Sequence, residues 1–345
     1  MTSQESIAVH TLYGNNGMQV DITNLGGRII RLMIPDKDNH LRDVVLGFNR
    51  AEDYLPDNNP SDFGAIIGRY ANRLAKGRIS VDGVTYQLPQ NNGPNCLHGG
   101  PMGWQYAIFH VEEATSNRIV LTLTSPDGDN GFPGCVQVRV VYSLENNSLR
   151  VDYHAESDRT TVINMTNHSY FNLNGNGGTT ILNHLLTIDA DRYTPIDDSY
   201  LPVGTIESVK ETPFDFRKAK AVGKEIGVDN QQLRNGNGYD HNWVLNTRGN
   251  VAKPCARLES PATGIVMEVY TTEPGMQVYT GNFLDGTVKG KNGIAYPQRS
   301  AICLETQKYP NSPNNPQWTE SNAYLNPGEV YESNTKFRFF VSDGK

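Results

Sequence analysis

Val136-Gln137-Val138-Arg139-Val140-Val141-Tyr142-Ser143-Leu144-Glu145-Asn146-Asn147-Ser148-Leu149-Arg150-Val151-Asp152-Tyr153-His154 places an apolar residue at nearly every second position on either side of a polar tetrad. Side chains of a strand point alternately to its two faces, so this period means one buried face and one solvated face. Glu145-Asn146-Asn147-Ser148 falls where the two runs meet and predicts a hairpin turn. The stretch reads as a pair of antiparallel strands.

The same alternation spreads outward. Ile119, Leu121 and Leu123 alternate with Thr122 and Thr124, and the turn-forming Ser125-Pro126-Asp127-Gly128-Asp129-Asn130-Gly131 separates them from the central pair. Further strands are expected over residues 17–22, 28–34, 43–48, 83–88, 185–189, 265–271 and 335–340. Helical windows are short, as over 218–226, and no 3.6-residue apolar stripe is sustained. The 33 glycines and 19 prolines suit many tight turns better than many helices. The expected fold class is therefore all-β: a large antiparallel β-sandwich with few short helices. No linker, repeat or composition shift divides the chain, so residues 1–345 are expected to form a single domain.

Composition removes several function classes. A net charge of -7 with scattered basic residues argues against a nucleic-acid partner. Charged residues interrupt every apolar run well before membrane-spanning length, so no membrane partner is expected. The N-terminus has neither the basic head nor the apolar region of a secretory signal, and the expected location is cytoplasmic. Cys96, Cys135, Cys255 and Cys303 are far apart and give no zinc-ligand spacing.

Chemistry concentrates in a few places. Asn164-Met165-Thr166-Asn167-His168-Ser169-Tyr170-Phe171-Asn172-Leu173 surrounds a histidine with hydrogen-bonding groups and aromatic rings, which suits a polyhydroxylated ligand or a series of closed turns. Histidine is also the side chain that titrates nearest neutrality. His98 precedes Gly99-Gly100, a pair that permits unusual backbone angles, and is expected at the rim of a loop. Gly68-Arg69-Tyr70-Ala71-Asn72-Arg73 offers two arginines that could hold vicinal hydroxyls or be plain surface charges. Asp240 is expected in a polar turn, and Gln277 lies among aromatics. Glu305 follows the apolar Ala301-Ile302-Cys303-Leu304, where a carboxylate is costly unless paired or used.

Taken in order, these segments resemble the aldose 1-epimerase (galactose mutarotase) family. The matching pieces include Asn24-Leu25-Gly26-Gly27, Asp43-Val44-Val45-Leu46-Gly47-Phe48, Ile67-Gly68-Arg69-Tyr70-Ala71-Asn72-Arg73, Leu97-His98-Gly99-Gly100, Thr166-Asn167-His168-Ser169-Tyr170-Phe171-Asn172-Leu173 and Gly281-Asn282-Phe283-Leu284-Asp285-Gly286-Thr287. With Ser125-Pro126-Asp127-Gly128, Tyr239-Asp240-His241 and Leu325-Asn326-Pro327-Gly328-Glu329, they cover essentially the whole chain. The resemblance implies a β-supersandwich and interconversion of the α and β anomers of free aldohexoses such as galactose and glucose. It implies Glu305 as general base on the C1 hydroxyl, His168 as general acid at the ring oxygen and His98 beside the anomeric centre. Arg73, Asp240 and Gln277 would bind sugar hydroxyls, with Asn72 supporting Arg73. One loop departs from the pattern: where relatives carry Gly-Phe-Asp-Lys, this chain has Gly103-Trp104-Gln105-Tyr106, which bears on sugar preference.

The implied chemistry needs only two proton transfers, so no metal or other cofactor is expected, and the partner is a small aldose taken up by a monomer or weak dimer. An ionised Glu305 and an imidazolium at His168 would each favour the other's charge. Three alternatives remain. A hexose-6-phosphate 1-epimerase would need a cationic cluster, which no run beyond Arg69 and Arg73 offers. A glycosidase could use Asp240 with Glu305. A non-catalytic carbohydrate-binding protein would have no need of both histidines and Glu305.

Overall fold

The computed structural model describes residues 5–58, 61–175 and 178–342. Three antiparallel sheets build most of it. A four-stranded sheet runs in chain order through Val9–Tyr13, Gln19–Thr23, Arg28–Pro35 and Leu41–Asp43. A nine-stranded sheet starts with His110–Ala114, Arg118–Ser125, Val136–Glu145 and Ser148–Ser157. It continues through the late strand Tyr331–Val341, then Ile265–Thr271, Ala256–Glu259, Leu185–Ile188 and Lys220–Ala221. A five-stranded sheet orders Glu207–Ser208, Arg192–Thr194, Asp240–Val244, Gly275–Tyr279 and Cys303–Gln307. Among the described residues there is one α-helix, Gln231–Asn235, started by Asn230, whose side chain accepts from the N–H groups of Gln232 and Leu233.

The hairpin forms as the alternation predicts. Val136–Glu145 pairs with Ser148–Ser157 from Val136↔Ser157 to Glu145↔Ser148, which leaves the two-residue turn Asn146-Asn147. Tyr331–Val341 adds to the other edge of the second strand, bringing the C-terminal region beside the middle of the chain. One apolar cluster joins Leu12, Val20 and Ile22 of the first sheet to Val140, Tyr142 and Val151 of the second and Trp243, Met276 and Val278 of the third. Burial of these faces is the main stabilising term, at roughly 25 cal/mol per Å² of apolar surface.

Three local expectations give way. Over 43–48 the strand ends at Asp43, and the following residues keep only an isolated bridge, Val45↔Phe171. These residues are buried, and Val44, Leu46 and Phe48 donate instead to Leu32 O, Tyr170 O and the Tyr54 hydroxyl. The helical window at 218–226 is an edge strand, Lys220–Ala221, followed by one tight turn, because Leu185–Ile188 supplies a partner for its backbone. Arg69 is neither a surface charge nor a hydroxyl binder. It is buried, and it donates to the carbonyls of Pro133 and Gly134, each at 2.8 Å, and of Ser125 and Pro126, each at 3.1 Å.

Four carbonyls around one guanidinium make Arg69 a staple for the 125–134 turn. Arg69→Met keeps the volume of the side chain but leaves those acceptors unpaired in the interior. A loss of at least about 3 kcal/mol is expected, read as a lower urea midpoint at unchanged m-value. A midpoint within error of the parent protein contradicts the role.

Candidate active site

Three neighbouring strands of the five-stranded sheet are covered on both faces. Every residue of Asp240–Val244, Gly275–Tyr279 and Cys303–Gln307 is buried. Their registers align Asn242, Gln277 and Glu305 in one cross-strand row and Asp240, Tyr279 and Cys303 in the next. Strand alternation puts both rows on the same face. The opposite face carries Trp243, Met276, Val278 and Leu304 into the apolar core. A polar, chemistry-bearing surface is thus backed by a rigid one.

His168 arrives from another part of the chain. Thr166–Asn167 pairs with Ile66–Ile67, and the ladder continues as His168 N–H donates to Ala65 O at 2.8 Å and Gly64 N–H to His168 O at 2.9 Å. Gly64 sits at φ +70, where a Cβ would lie 2.0 Å from Ile29 O, so only glycine fits. The Tyr170 ring stacks on the imidazole, with centroids 5.0 Å apart and planes 15° from parallel. This aims His168 Nε2 at Glu305 Oε1, 3.5 Å away.

His98 completes the centre, its ring edge-on to His168 with centroids 5.2 Å apart. Its Nδ1 accepts from Asn72 N–H at 3.1 Å, and its own N–H donates to Asn72 O at 3.1 Å. A backbone N–H can only donate, so neutral His98 carries its proton on Nε2. That nitrogen is a hydrogen-bond donor and not a free metal ligand. His98 is buried, deeper than the loop rim expected for it.

The remaining residues close the circuit. Gln277 Nε2 donates to Asp240 Oδ1 at 2.7 Å, and Arg73 Nη1 lies 3.9 Å from Asp240 Oδ2. Arg73 Nε donates to Asn92 Oδ1 at 2.9 Å, and its guanidinium sits 4.8 Å from the Tyr200 ring centroid. Asn72 Oδ1 accepts from the backbone N–H of Arg73 at 2.8 Å, while its own backbone engages His98. Asp240 opens a buried strand and is not in a polar turn. All seven sequence-derived residues are brought together and buried. Glu305 Oε2, Gln277 Oε1 and His168 Nδ1 have no hydrogen-bond partner among the described residues.

The asparagines around His168 turn out to be stitches. Asn164 Nδ2 donates to Ala71 O and its Oδ1 accepts from Lys308 N–H. Asn167 donates to Gly64 O, and Asn172 to Thr179 O and Ser300 O. Phe171 packs on Phe337 in the core, so the ring that floors the site is Tyr170 and not Phe171. The divergent loop is also structural: Trp104 is buried, and Gln105 O accepts from Arg28 at 2.7 Å. Sequence reasoning missed Asn92, Tyr200, Tyr279 and Asp62. Asp62, from the polar stretch before Phe63, brings a carboxylate oxygen to within 4.8 Å of ring nitrogens of both His98 and His168.

Burial dominates the electrostatics. It lowers His98 to about 3, helped by the Arg73 cation, and lowers His168 to about 3, helped by His98 and opposed by Asp62. Glu305 is pushed well above the ordinary carboxyl range by burial and then by Asp240 and Asp62, against Arg73. Burial raises Asp240 as well, against Arg73 and the Gln277 hydrogen bond. The expected ionised Glu305 beside an imidazolium is therefore not the favoured form of the free site. Two charges removed from water cost more than their attraction returns. The proton count is nonetheless the one expected, since a neutral pair and an ion pair each hold one proton between them.

A groove of about 860 Å³, lined by Lys210, Asp215, Arg217, Lys220 and Glu225 among others, contains none of these residues. Its charges largely satisfy one another, as in Arg217–Asp215 and Lys220–Glu225. No helix among the described residues is long and apolar enough to cross a membrane.

Comparison with known proteins bears on the whole chain. The family model described as aldose 1-epimerase matches residues 9–338. A galactose mutarotase from Bos taurus is 45% identical over 326 residues, covering 94% of this chain and 92% of its own. An aldose 1-epimerase from Escherichia coli (strain K12) is 38% identical over 332 residues, covering 96% of this chain and 94% of its own. Among solved structures, a galactose 1-epimerase from Lactobacillus acidophilus superposes with a TM-score of 0.85 at 31% identity, covering 99% of this chain and 97% of its own. An aldose epimerase homologue from C. elegans reaches a TM-score of 0.90 at 29% identity, covering 98% of this chain and 100% of its own.

The buried histidines set an acid limit to stability. His184 and His241 are also lowered to about 3 by burial, and each accepts a backbone N–H with one ring nitrogen, from Leu173 and Asp240. Between about 3 and the usual 6.5 the unfolded chain binds more protons, so the stabilisation from each neutral imidazole is complete above pH 6.5 and lost as pH falls toward 3. Glu305 and Asp240, raised by burial, act with opposite sign: their contribution is complete at low pH and fades as pH rises through their folded values. Urea unfolding between pH 7 and pH 4 should show falling stability, and His184→Gln should reduce that slope by up to about 1.4 kcal/mol per pH unit. An unchanged slope contradicts a buried neutral His184.

Proposed function

The chain belongs to the aldose 1-epimerase family and is a mutarotase, and we propose that Glu305 and His168 move the two protons of its reaction on a free aldohexose. The observation that carries this assignment is their 3.5 Å approach, with the Gln277–Asp240–Arg73 cluster alongside on the same face of the sheet. Galactose and glucose are the proposed substrates. The relatives named galactose mutarotase support the first. All the residues involved come from one chain, so a monomer suffices, and 1–345 acts as one domain. A cytoplasmic setting agrees with four free thiols, Cys96, Cys135, Cys255 and Cys303.

The pair supplies acid and base together. With a sugar bound, its hydroxyls offer Glu305 and His168 the hydrogen bonds that desolvation removed, and the charge-separated form becomes accessible. Glu305 takes the proton of the C1 hydroxyl while His168 gives one to the ring oxygen. The C1–O5 bond breaks, C1=O1 forms, and an open-chain aldehyde results. Glu305 is now protonated and His168 neutral, which is the arrangement that burial favours. The pocket therefore stabilises the protonation state of the ring-open intermediate. Rotation about C1–C2 exposes the other carbonyl face, and closure returns both protons. The neutral Nε2–H of His98 donates a hydrogen bond toward the anomeric oxygen.

Hydroxyl recognition falls to Arg73, Asp240 and Gln277. Asp240 is already engaged by Gln277 and Arg73, which suits a fixed acceptor better than a nucleophile or a second hydrolytic carboxylate. Polarimetry on freshly dissolved α-D-galactose and α-D-glucose measures the proposed activity. Glu305→Gln and His168→Asn should each lower kcat on the order of 10²–10⁴-fold in a folded protein, and the double variant should lose much less than the product. Full turnover in folded Glu305→Gln removes it from the mechanism. Arg73→Ala and Asp240→Ala should chiefly raise KM, because their partners persist from ground state to transition state. Unchanged KM with lost turnover would mean these two act on the reacting atoms.

A further inference from the structure

Asp62 has no place in the chemistry so far, yet its position is built. It is half-buried in the segment between the single helical turn Ala51–Tyr54 and the strand Ile66–Ile67. Arg28, fully buried, donates to Ser61 O and Phe63 O, each at 3.0 Å, and so clamps the carbonyls on both sides of Asp62. The same guanidinium reaches Gln105 O at 2.7 Å. Downstream, Ala65 N–H donates to Asp62 O at 3.1 Å, and Ala65 O accepts from His168 N–H. The Phe63 ring meets Tyr170 edge-on at 4.6 Å, and Tyr170 stacks on His168. Asp62 and His168 thus hang on one ladder and one aromatic column.

We propose that Asp62 is a positioning residue of the mutarotase reaction, whose carboxylate is the counter-charge that keeps the shared proton within the His168–Glu305 pair. The geometry behind this is the approach of an Asp62 oxygen to within 4.8 Å of ring nitrogens of His98 and His168. The proposal rests on the assignment of His168 and Glu305 as acid and base.

The sign follows from the charges that surround the pair. His98 and Arg28 oppose an imidazolium at His168, and Asp62 favours it. Around Glu305, Asp240 and Asp62 oppose ionisation while Arg73 favours it. Tyr170, Tyr279 and Cys303 complete the walls, and burial holds all three neutral. Asp62 attracts the proton when it sits on His168 and resists its departure when it sits on Glu305. Both placements give the same result: the pair holds its proton to higher pH than it would without Asp62.

The test is the pH–rate profile, followed by polarimetry, of the parent protein, Asp62→Asn and Asp62→Glu. The Asn side chain matches Asp in shape and keeps the Arg28 hydrogen bonds to the Ser61 and Phe63 carbonyls, but it removes the charge that Asp62 sets against buried Arg28, so the melting temperature is read beside each profile. Both limbs of the Asp62→Asn profile should move to lower pH by about one unit, with turnover lost first on the alkaline side, and Asp62→Glu should restore them. Should Asp62→Asn melt early, Asp62→Ser read in the same way decides. Limbs that stay in place, with only KM or melting temperature altered, overturn the proposal and make Asp62 a hydroxyl binder or a loop residue. If Glu305→Gln and His168→Asn lose turnover while the Asp62→Asn limbs stay fixed, only this proposal falls. Normal turnover in those two variants overturns both it and the assignment beneath it.

Discussion

A carboxyl and an imidazole held 3.5 Å apart and sealed from water set the terms for everything around them. In water such a pair would separate charge freely. In this pocket the charged form is expensive, and burial drives both groups toward neutrality. A fixed and dry environment is what makes a single shared proton useful, because small changes in hydrogen bonding then decide which partner holds it. The sheet that carries Glu305 must therefore be covered on both faces, and the loop that carries His168 cannot drift.

Around the site the fold meets that demand with buried polar stitches rather than long regular elements. Arg28 holds the carbonyls of Ser61, Phe63 and Gln105, and Arg69 holds those around residues 125–134. Lys291 joins Asp43 and Val45 O at 2.7 and 2.8 Å. Asn164, Asn167 and Asn172 do the same for the segment of His168. Irregular backbone in an interior must find partners for its N–H and C=O groups, and these side chains provide them. Most of their donors go to main-chain carbonyls, which leaves Arg73, Asp240 and Gln277 among the polar groups turned to the site.

Much of this was legible in the sequence, for reasons that differ by region. Alternation marks the strands of the nine-stranded sheet because one face of each is wet, as in the hairpin 136–157. Asp240–Val244 is buried throughout and shows no alternation in burial, so Asp240 looked like part of a turn. Glu305 stood out because a carboxylate after an apolar run has to be accounted for. The roles of His98, Arg73 and Gln277 came through the family resemblance, since spacing alone cannot say which distant loops converge. Asp62 stayed hidden among Asp57, Asn58 and Ser61, a composition typical of a solvated turn. Arg69 and Arg73, four residues apart, looked alike; only tertiary packing makes one a staple and the other a rim of the pocket.

The central claim is that the substrate-free pair keeps one proton and that burial places it on the carboxyl. Selective ¹³C labelling of glutamate side chains and ¹⁵N labelling of histidine rings reads both groups directly by NMR, with Glu305→Gln and His168→Asn used to assign the resonances. At pH 7 the Glu305 carboxyl should show the shift of a protonated acid and His168 that of a neutral imidazole. A carboxylate at Glu305 beside an imidazolium at His168 in the free protein would contradict the account.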